Sequence, residues 1–148
     1  MKHYIMLFFA LLVASTIHAQ TYSQKWNDLQ KRTEFFNEHG QLTGWAKYNE
    51  LFDRLEYFDK YGKMRYYEKD NDLMKRTDIK TPNGKTQSSR SYNEFFEREE
   101  IKDAYGHVVG YQKWNDLFNR YDVYNQSNQV IGYYKYNSLF DRWEYHKK

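Results

Sequence analysis

Six arginines in this chain each have a carboxylate two residues further on: Arg32 with Glu34, Arg54 with Glu56, Arg76 with Asp78, Arg98 with Glu100, Arg120 with Asp122, and Arg142 with Glu144. This is the one constellation in the sequence that looks like chemistry. Residues i and i+2 of a strand share a face, so each pair can bond along its strand and the six can form a charge ladder across a sheet. A catalytic site is normally singular, whereas a feature written six times is normally structural, so the pairs are read as scaffold. Other catalytic signals are missing. His39, His107 and His146 stand apart with no metal-ligand spacing to a carboxylate, there is no Cys nucleophile, and no Gly-rich phosphate loop is present. The expectation is a non-enzyme with no cofactor and no metal. The second set with chemical potential is aromatic: Trp26, Trp45, Tyr48, Tyr111, Trp114, Tyr133, Tyr136 and Trp143. Ring faces of this kind can serve as platforms for sugar rings or cages for quaternary ammonium groups, and can equally be a stacking core.

What positions these residues is a repeat. The phrases KYNELFDRLEY, KWNDLFNRYDV and KYNSLFDRWEY begin at 47, 113 and 135. Taking their Asn as a marker gives Asn27, Asn49, Asn71, Asn93, Asn115 and Asn137, a strict spacing of 22 residues. The Arg stands five residues after each Asn and the acid seven after. Leu, or Phe95 in the fourth copy, stands two after. The residue before the Asn is aromatic except at Asp70. Thirteen residues after the Asn come Gly40, Gly62, Gly84, Gly106 and then Asn128, residue types that tolerate positive φ and so read as one recurring turn.

Residues 1–19 differ from everything that follows. Lys2 and His3 precede an apolar run from Ile5 to Val13, and small and polar residues lead to Ala19, the pattern of a secretory signal peptide cleaved before Gln20. An uncleaved anchor is the competing reading, but the apolar run is short of the ~20 residues a span needs. Residues 20–148 are then one domain of six repeats, the last truncated at Lys148. The chain has no cysteine, so it is exported without disulfides and without lipidation on an N-terminal Cys. Acids and bases are interleaved around a net charge of +3, which offers no electrostatic footprint for nucleic acid. An aromatic content of 20% argues against disorder despite the low hydropathy.

Within a copy, Arg54-Leu55-Glu56-Tyr57 alternates with period two, a turn ends at Gly62, and a second β-favouring run leads to the next Asn. Each copy is read as two short strands and two turns, so the fold class is all-β: an antiparallel meander, or β-hairpin repeat array, solenoid-like and elongated. At ~4.8 Å per strand, a dozen strands would make a sheet about 60 Å wide. A lone hairpin is marginal in water, and stacking of neighbouring aromatics supplies the stability. The alternative for Asn-x-Leu-Phe is a helix N-cap opening a single turn. The charged end His146-Lys147-Lys148 would protect an exposed sheet edge from strand addition. The third copy is poor in aromatics, and a kink or mobile loop is expected near 80–91.

Gly44-Trp45, Tyr57-Phe58 and Gly62-Lys63-Met64, with Gly110-Tyr111 and Gly132-Tyr133 in the same frame, resemble the aromatic cell-wall-binding, or choline-binding, repeats of bacterial surface proteins. The resemblance spans residues 22–148 as a pattern of glycines and aromatics. It differs in its period of 22 rather than about 20, in the Asn-x-Leu-Phe-x-Arg-x-Glu core, and in using Tyr where Trp is usual. It implies a chain of stacked hairpins.

The functional expectation is a secreted binding protein, periplasmic or extracellular, that recognises glycan or another cell-envelope polymer through its aromatics. The alternative is a scaffold or adaptor for an envelope protein, with an inhibitor or immunity-type partner as a third reading. No nucleic-acid partner and no transmembrane segment in the mature chain are expected.

Overall fold

The computed structural model describes residues 22–148; the expected signal peptide lies outside the described residues. Twelve strands follow one another in the chain: β1 (Ser23–Asn27), β2 (Arg32–Phe36), β3 (Leu42–Asn49), β4 (Arg54–Asp59), β5 (Met64–Asn71), β6 (Arg76–Lys80), β7 (Thr86–Asn93), β8 (Arg98–Asp103), β9 (Val108–Asn115), β10 (Arg120–Asn125), β11 (Val130–Asn137) and β12 (Arg142–Lys147). Each pairs antiparallel with its chain neighbours, which is the expected hairpin meander. The array is not open and elongated: β1 pairs with β12 and the sheet closes into a barrel.

Curvature supplied by the repeats makes closure possible. Five hairpins carry a register shift at the same place, between Phe35 and Phe36 and at the equivalent steps of the next four copies. A bulge bends its strand and strengthens the local twist. Five equal bends, added to ordinary sheet twist, bring β12 beside β1. There Ser23 stands opposite Glu144 and Gln24 opposite Trp143, and the Tyr145 N–H donates to the Tyr22 carbonyl at 2.7 Å. β1 therefore fills the place of the second strand that the sixth copy lacks, and the charged C-terminus does not guard a free edge. Closure alone removes sheet edges.

The two turns alternate from one end of the barrel to the other. In the Gly turn, a side-chain oxygen of the first residue accepts backbone N–H groups further along the loop. Asp59 Oδ1 takes those of Tyr61 and Lys63, both at 2.9 Å. Gly40, Gly62, Gly84, Gly106 and Asn128 have φ between 60° and 93°, as their residue types led us to expect. In the Asn turn, Asn49 Oδ1 accepts the Phe52 N–H at 3.2 Å, an N-cap-like bond. No helix follows. The residue before each Arg (Lys31, Asp53, Lys75, Glu97, Asn119, Asp141) is left-handed at φ 49–52°, which turns the chain into the next strand.

The third copy obeys the same rules. Residues 80–91, expected as a kink or mobile loop, are the end of β6, a Gly turn and most of β7. Thr81 Oγ1 accepts the Lys85 N–H at 3.1 Å, standing in for the Asp or Asn of the other copies.

Side chains alternate between lumen and exterior. Inward positions hold the core: Phe35, Ala46 and Tyr57 in one cluster, Ile79 and Ile101 in a second, Val123 and Tyr134 in a third, with Tyr66 packed against the first two. Burial, and then Glu68, push the Tyr66 phenol on β5 up, and Tyr134 of β11, half the barrel away, adds to the rise.

Candidate functional site

The arginine–acid pairs lie on the outside of the barrel near the Asn-turn end. Each carboxylate is held twice. Glu56 receives Arg54 Nε at 2.7 Å and Asn49 Nδ2 at 3.1 Å; Asp122 receives Arg120 Nε at 2.7 Å and Asn115 Nδ2 at 2.6 Å. The same pattern joins Asn27, Arg32 and Glu34; Asn71, Arg76 and Asp78; Asn93, Arg98 and Glu100; and Asn137, Arg142 and Glu144. The Asn fixes its turn with Oδ1 and the acid with Nδ2, which ties the marker column to the pair seven residues on. Four guanidiniums also lie over a ring of the next copy: Arg32 over Trp45 at 4.2 Å, Arg54 over Tyr67 at 4.2 Å, and Arg98 over Tyr111 and Arg120 over Tyr133, both at 4.0 Å. Three of the aromatics singled out from the sequence, Trp45, Tyr111 and Tyr133, thus have a ring face covered by arginine. This charged outer surface is unlike the apolar outward band of a membrane barrel.

The other five aromatics gather at the Asn-turn mouth. Trp26, Tyr48, Trp114 and Tyr136 immediately precede the Asn, on the lumen side of the rim, and all four are exposed. Their polar tips are tied to acids of the adjoining turn: Trp26 Nε1 to Asp28 at 2.9 Å, Trp114 Nε1 to Asp116 at 2.8 Å, the Tyr48 hydroxyl to Asp53 and the Tyr136 hydroxyl to Asp141. Those acids push both phenols' pKa values up. Trp143 stands opposite Tyr136 in the β11–β12 register. Its ring centre is 5.5 Å from Tyr136 and 5.9 Å from Tyr121, and Tyr121 meets Trp114 edge-on at 4.8 Å. Tyr92 completes this arc of the rim and was not among the expected site residues.

The largest omission from the sequence reading is the tip of the Asn turn itself. The Leu or Phe two residues after each Asn is 83–91% exposed in all six copies. The next residue, Phe52, Met74, Phe96, Phe118 or Phe140, is also exposed in five copies; Gln30 stands there in the first. Eleven large apolar side chains thus form a crown around one end of the barrel. Acids are set among them: the residue after the Asn is Asp28, Glu50, Asp72, Glu94 or Asp116, and the residue before the Arg is Asp53, Glu97 or Asp141, against only Lys31 and Lys75. The signal was present in the sequence, since a Leu at the centre of a polar turn has no core to enter. In sequence, Asn-x-Leu-Phe reads as the second turn of each unit, with no partner assigned to its apolar residues.

Below the rim, the lumen holds a charged row confined to the middle copies. Arg90 bonds Glu68 at 2.7 Å and Glu99 at 3.2 Å, and Gln112 donates to Glu99 at 2.9 Å. Burial pushes the Glu68 carboxyl up against the opposing pull of Arg90. Burial, and then Glu68, raise the neighbouring Tyr57 phenol. The two groups feel each other, yet neither Tyr57 Oη nor Glu68 Oε1 closes a hydrogen bond of normal geometry. Among the described residues no group of three or more His, Cys, Asp or Glu is arranged to hold a metal ion.

Comparison with protein-family models, curated proteins and solved structures found no match to this chain.

Proposed function

We propose that this chain is an exported, non-enzymatic binding protein that engages an envelope protein through the Asn-turn end of its barrel. The observation that carries this reading is the crown: six equivalent turns each present a Leu or Phe that stays 83–91% exposed. Scattered exposed apolar residues need no explanation, but a contiguous apolar rim bordered by polar groups is typical of an interaction surface. Six copies also give six weak contacts on one rigid frame, and contacts made together reinforce each other without any being strong alone. A protein surface suits the crown better than lipid, because an acid directly precedes the exposed Leu or Phe in five of the six turns and burying an Asp in a bilayer costs roughly 2.5–3.5 kcal/mol.

A glycan is the second reading, supported by Trp26 and Trp114. Their indole N–H groups are fixed by Asp28 and Asp116, which holds the rings in set orientations at the rim.

The test compares the mature chain with a Leu73→Asp, Leu117→Asp variant. In envelope extracts the parent should recover a defined protein in stoichiometric amount, and the variant should lose it with an unchanged melting temperature. Equal recovery by both would remove the crown from the binding surface. A response on a polysaccharide array, with quenching of Trp fluorescence and no protein recovered, would move the assignment to glycan.

A further inference from the structure

We propose that the mouth inside the crown takes a lysine or arginine side chain of the partner, with Glu99 as its counter-ion and the rim aromatics as its walls. This rests on the reading that the partner is a protein bound at the Asn-turn end.

The argument begins with charge inside the barrel. Side chains alternate along every strand, so the inward positions can be followed around the ring. From the rim down through the charged row they hold three carboxylates, Glu68, Asp70 and Glu99, and one guanidinium, Arg90. Of the other arginines near the row in sequence, Arg98 points outward and is held by Glu100 at 2.8 Å, and Arg65 is engaged by Asp59 at 2.9 Å at the opposite, Gly-turn end. In five copies a lysine stands two residues before the Asn (Ser91 in the fourth); these lysines point outward, and two of them, Lys69 and Lys113, donate to the carbonyls of Phe52 and Phe96. From the rim through the row the lumen therefore holds more acid than base, and carboxylates that share one guanidinium can take a further cation at their exposed side.

The row also shares its one cation: the Arg90 guanidinium lies 2.7 Å from Glu68 and 3.2 Å from Glu99, so a single positive charge serves two carboxylates.

The shape of the approach is aromatic. Glu99 keeps 19% of its side chain exposed, while Arg90 beside it keeps 3%. Glu99 stands opposite Tyr92 in the β7–β8 register, and Trp114 opposite Tyr121 in the β9–β10 register, which sets the carboxylate beside the arc of Tyr92, Trp114, Tyr121 and Trp143; burial, and then Glu99 and Tyr92, raise the Tyr121 phenol. Ring faces with a carboxylate behind them attract a cation twice, through the ring quadrupole and through direct charge. A long apolar stem with a charged head suits a passage that runs from an apolar crown through rings to an acid. A second copy of this chain is a poor occupant, because crown facing crown would set acids against acids.

The test uses the mature chain and side-chain mimics, with Trp fluorescence as the readout. N-acetyl-lysine methylamide and N-acetyl-arginine methylamide should perturb the emission. The neutral isostere N-acetyl-norleucine methylamide should bind at least tenfold more weakly. Glu99→Gln should weaken both cations by about five- to tenfold while leaving norleucine unaffected, and added salt should weaken them in the parent. If Glu99→Gln disturbs the fold by circular dichroism, Asp70→Asn at the rim offers the same comparison with a smaller expected loss. The Leu73→Asp, Leu117→Asp variant should keep cation binding even where it loses the envelope protein, so failure of the crown and failure of the mouth are separable. Norleucine matching lysine, Glu99→Gln binding as the parent does, or glucosamine binding where the lysine amide does not, would each overturn the proposal.

Discussion

The Arg120 guanidinium lies 4.0 Å from the centre of the Tyr133 ring, and the same contact couples copy to copy around the barrel except at two places. The residue four before each Asn is Trp45, Tyr67, Tyr111 or Tyr133 in four copies, but Ser23 in the first and Ser89 in the fourth. Arg142 faces Ser23 across the closing seam, and Arg76 faces Ser89, so neither has a ring from the neighbouring copy. Their side chains are 29% and 31% exposed, against 16–23% for the other four. Introducing the missing ring with Ser89→Tyr should stabilise the protein by ~0.5–1 kcal/mol. Combining it with Arg76→Ala should abolish the gain. A denaturant melt of the four proteins in that cycle checks both statements.

Arg90 should be the most sensitive single charge. It is 3% exposed and bonded to two carboxylates, so Arg90→Met leaves buried acids without a partner and should cost ~3–5 kcal/mol. Adding Glu68→Gln to that variant should recover a large part of the loss. If the double variant melts no higher than the single one, the row is held by something other than this pair.

Asp59 and Asp103 make the stability of the Gly turns depend on pH. The backbone N–H four residues on holds each carboxyl below its usual range, helped by Arg65 for Asp59 and by His107 for Asp103. A depressed value means the stabilisation is complete above the ordinary aspartate pKa and is lost as pH falls through and below it. Asn37 and Asn125 hold the same position and accept the same N–H bonds without a charge. Asp59→Asn with Asp103→Asn should therefore preserve the melting temperature near neutral pH and flatten its fall on acidification. An acid limb as steep as the parent's would rule these turns out as its source.

The seam should be the first part of the barrel to open. β1 meets β12 over two register pairs, whereas the other neighbouring strands share four to six. Hydrogen exchange should find the Tyr145 amide, bonded to Tyr22, less protected than the interior amides of β8 and β9. Equal protection would show that the seam opens only with the whole barrel.

The parts of this structure legible in the sequence are the parts repeated in it. Twelve strands, the Gly turn and its positive φ all follow from columns that recur every 22 residues. Closure was not legible, because the pattern Arg54-Leu55-Glu56-Tyr57 states which faces alternate but not how far each bulge bends the sheet. The division of the aromatics was hidden for a related reason. Tyr48 and Trp45 both read as apolar members of one run, yet they stand on opposite faces, and which face is the inside depends on closure. Glu68, Arg90 and Glu99 were passed over because a search for repeats averages away whatever occurs once. The crown also depends on closure: Leu51 and Phe52 read as turn residues, and only the closed barrel shows that no neighbouring element covers them.

Closure also changes what a gain or loss of one repeat would mean. In an open array a further hairpin is added at an end, and the rest of the molecule is untouched. Here the strand before the first marker completes the hairpin that the last copy begins, so the perimeter must come out even. Deleting 22 residues would tighten every bend in the ring, crowd Tyr57, Tyr66 and Tyr134 against one another, and bring the opposing tips closer together. The number of copies is thus a shared property of the whole circle, and any change in it would reach the diameter of the mouth as directly as a mutation within it.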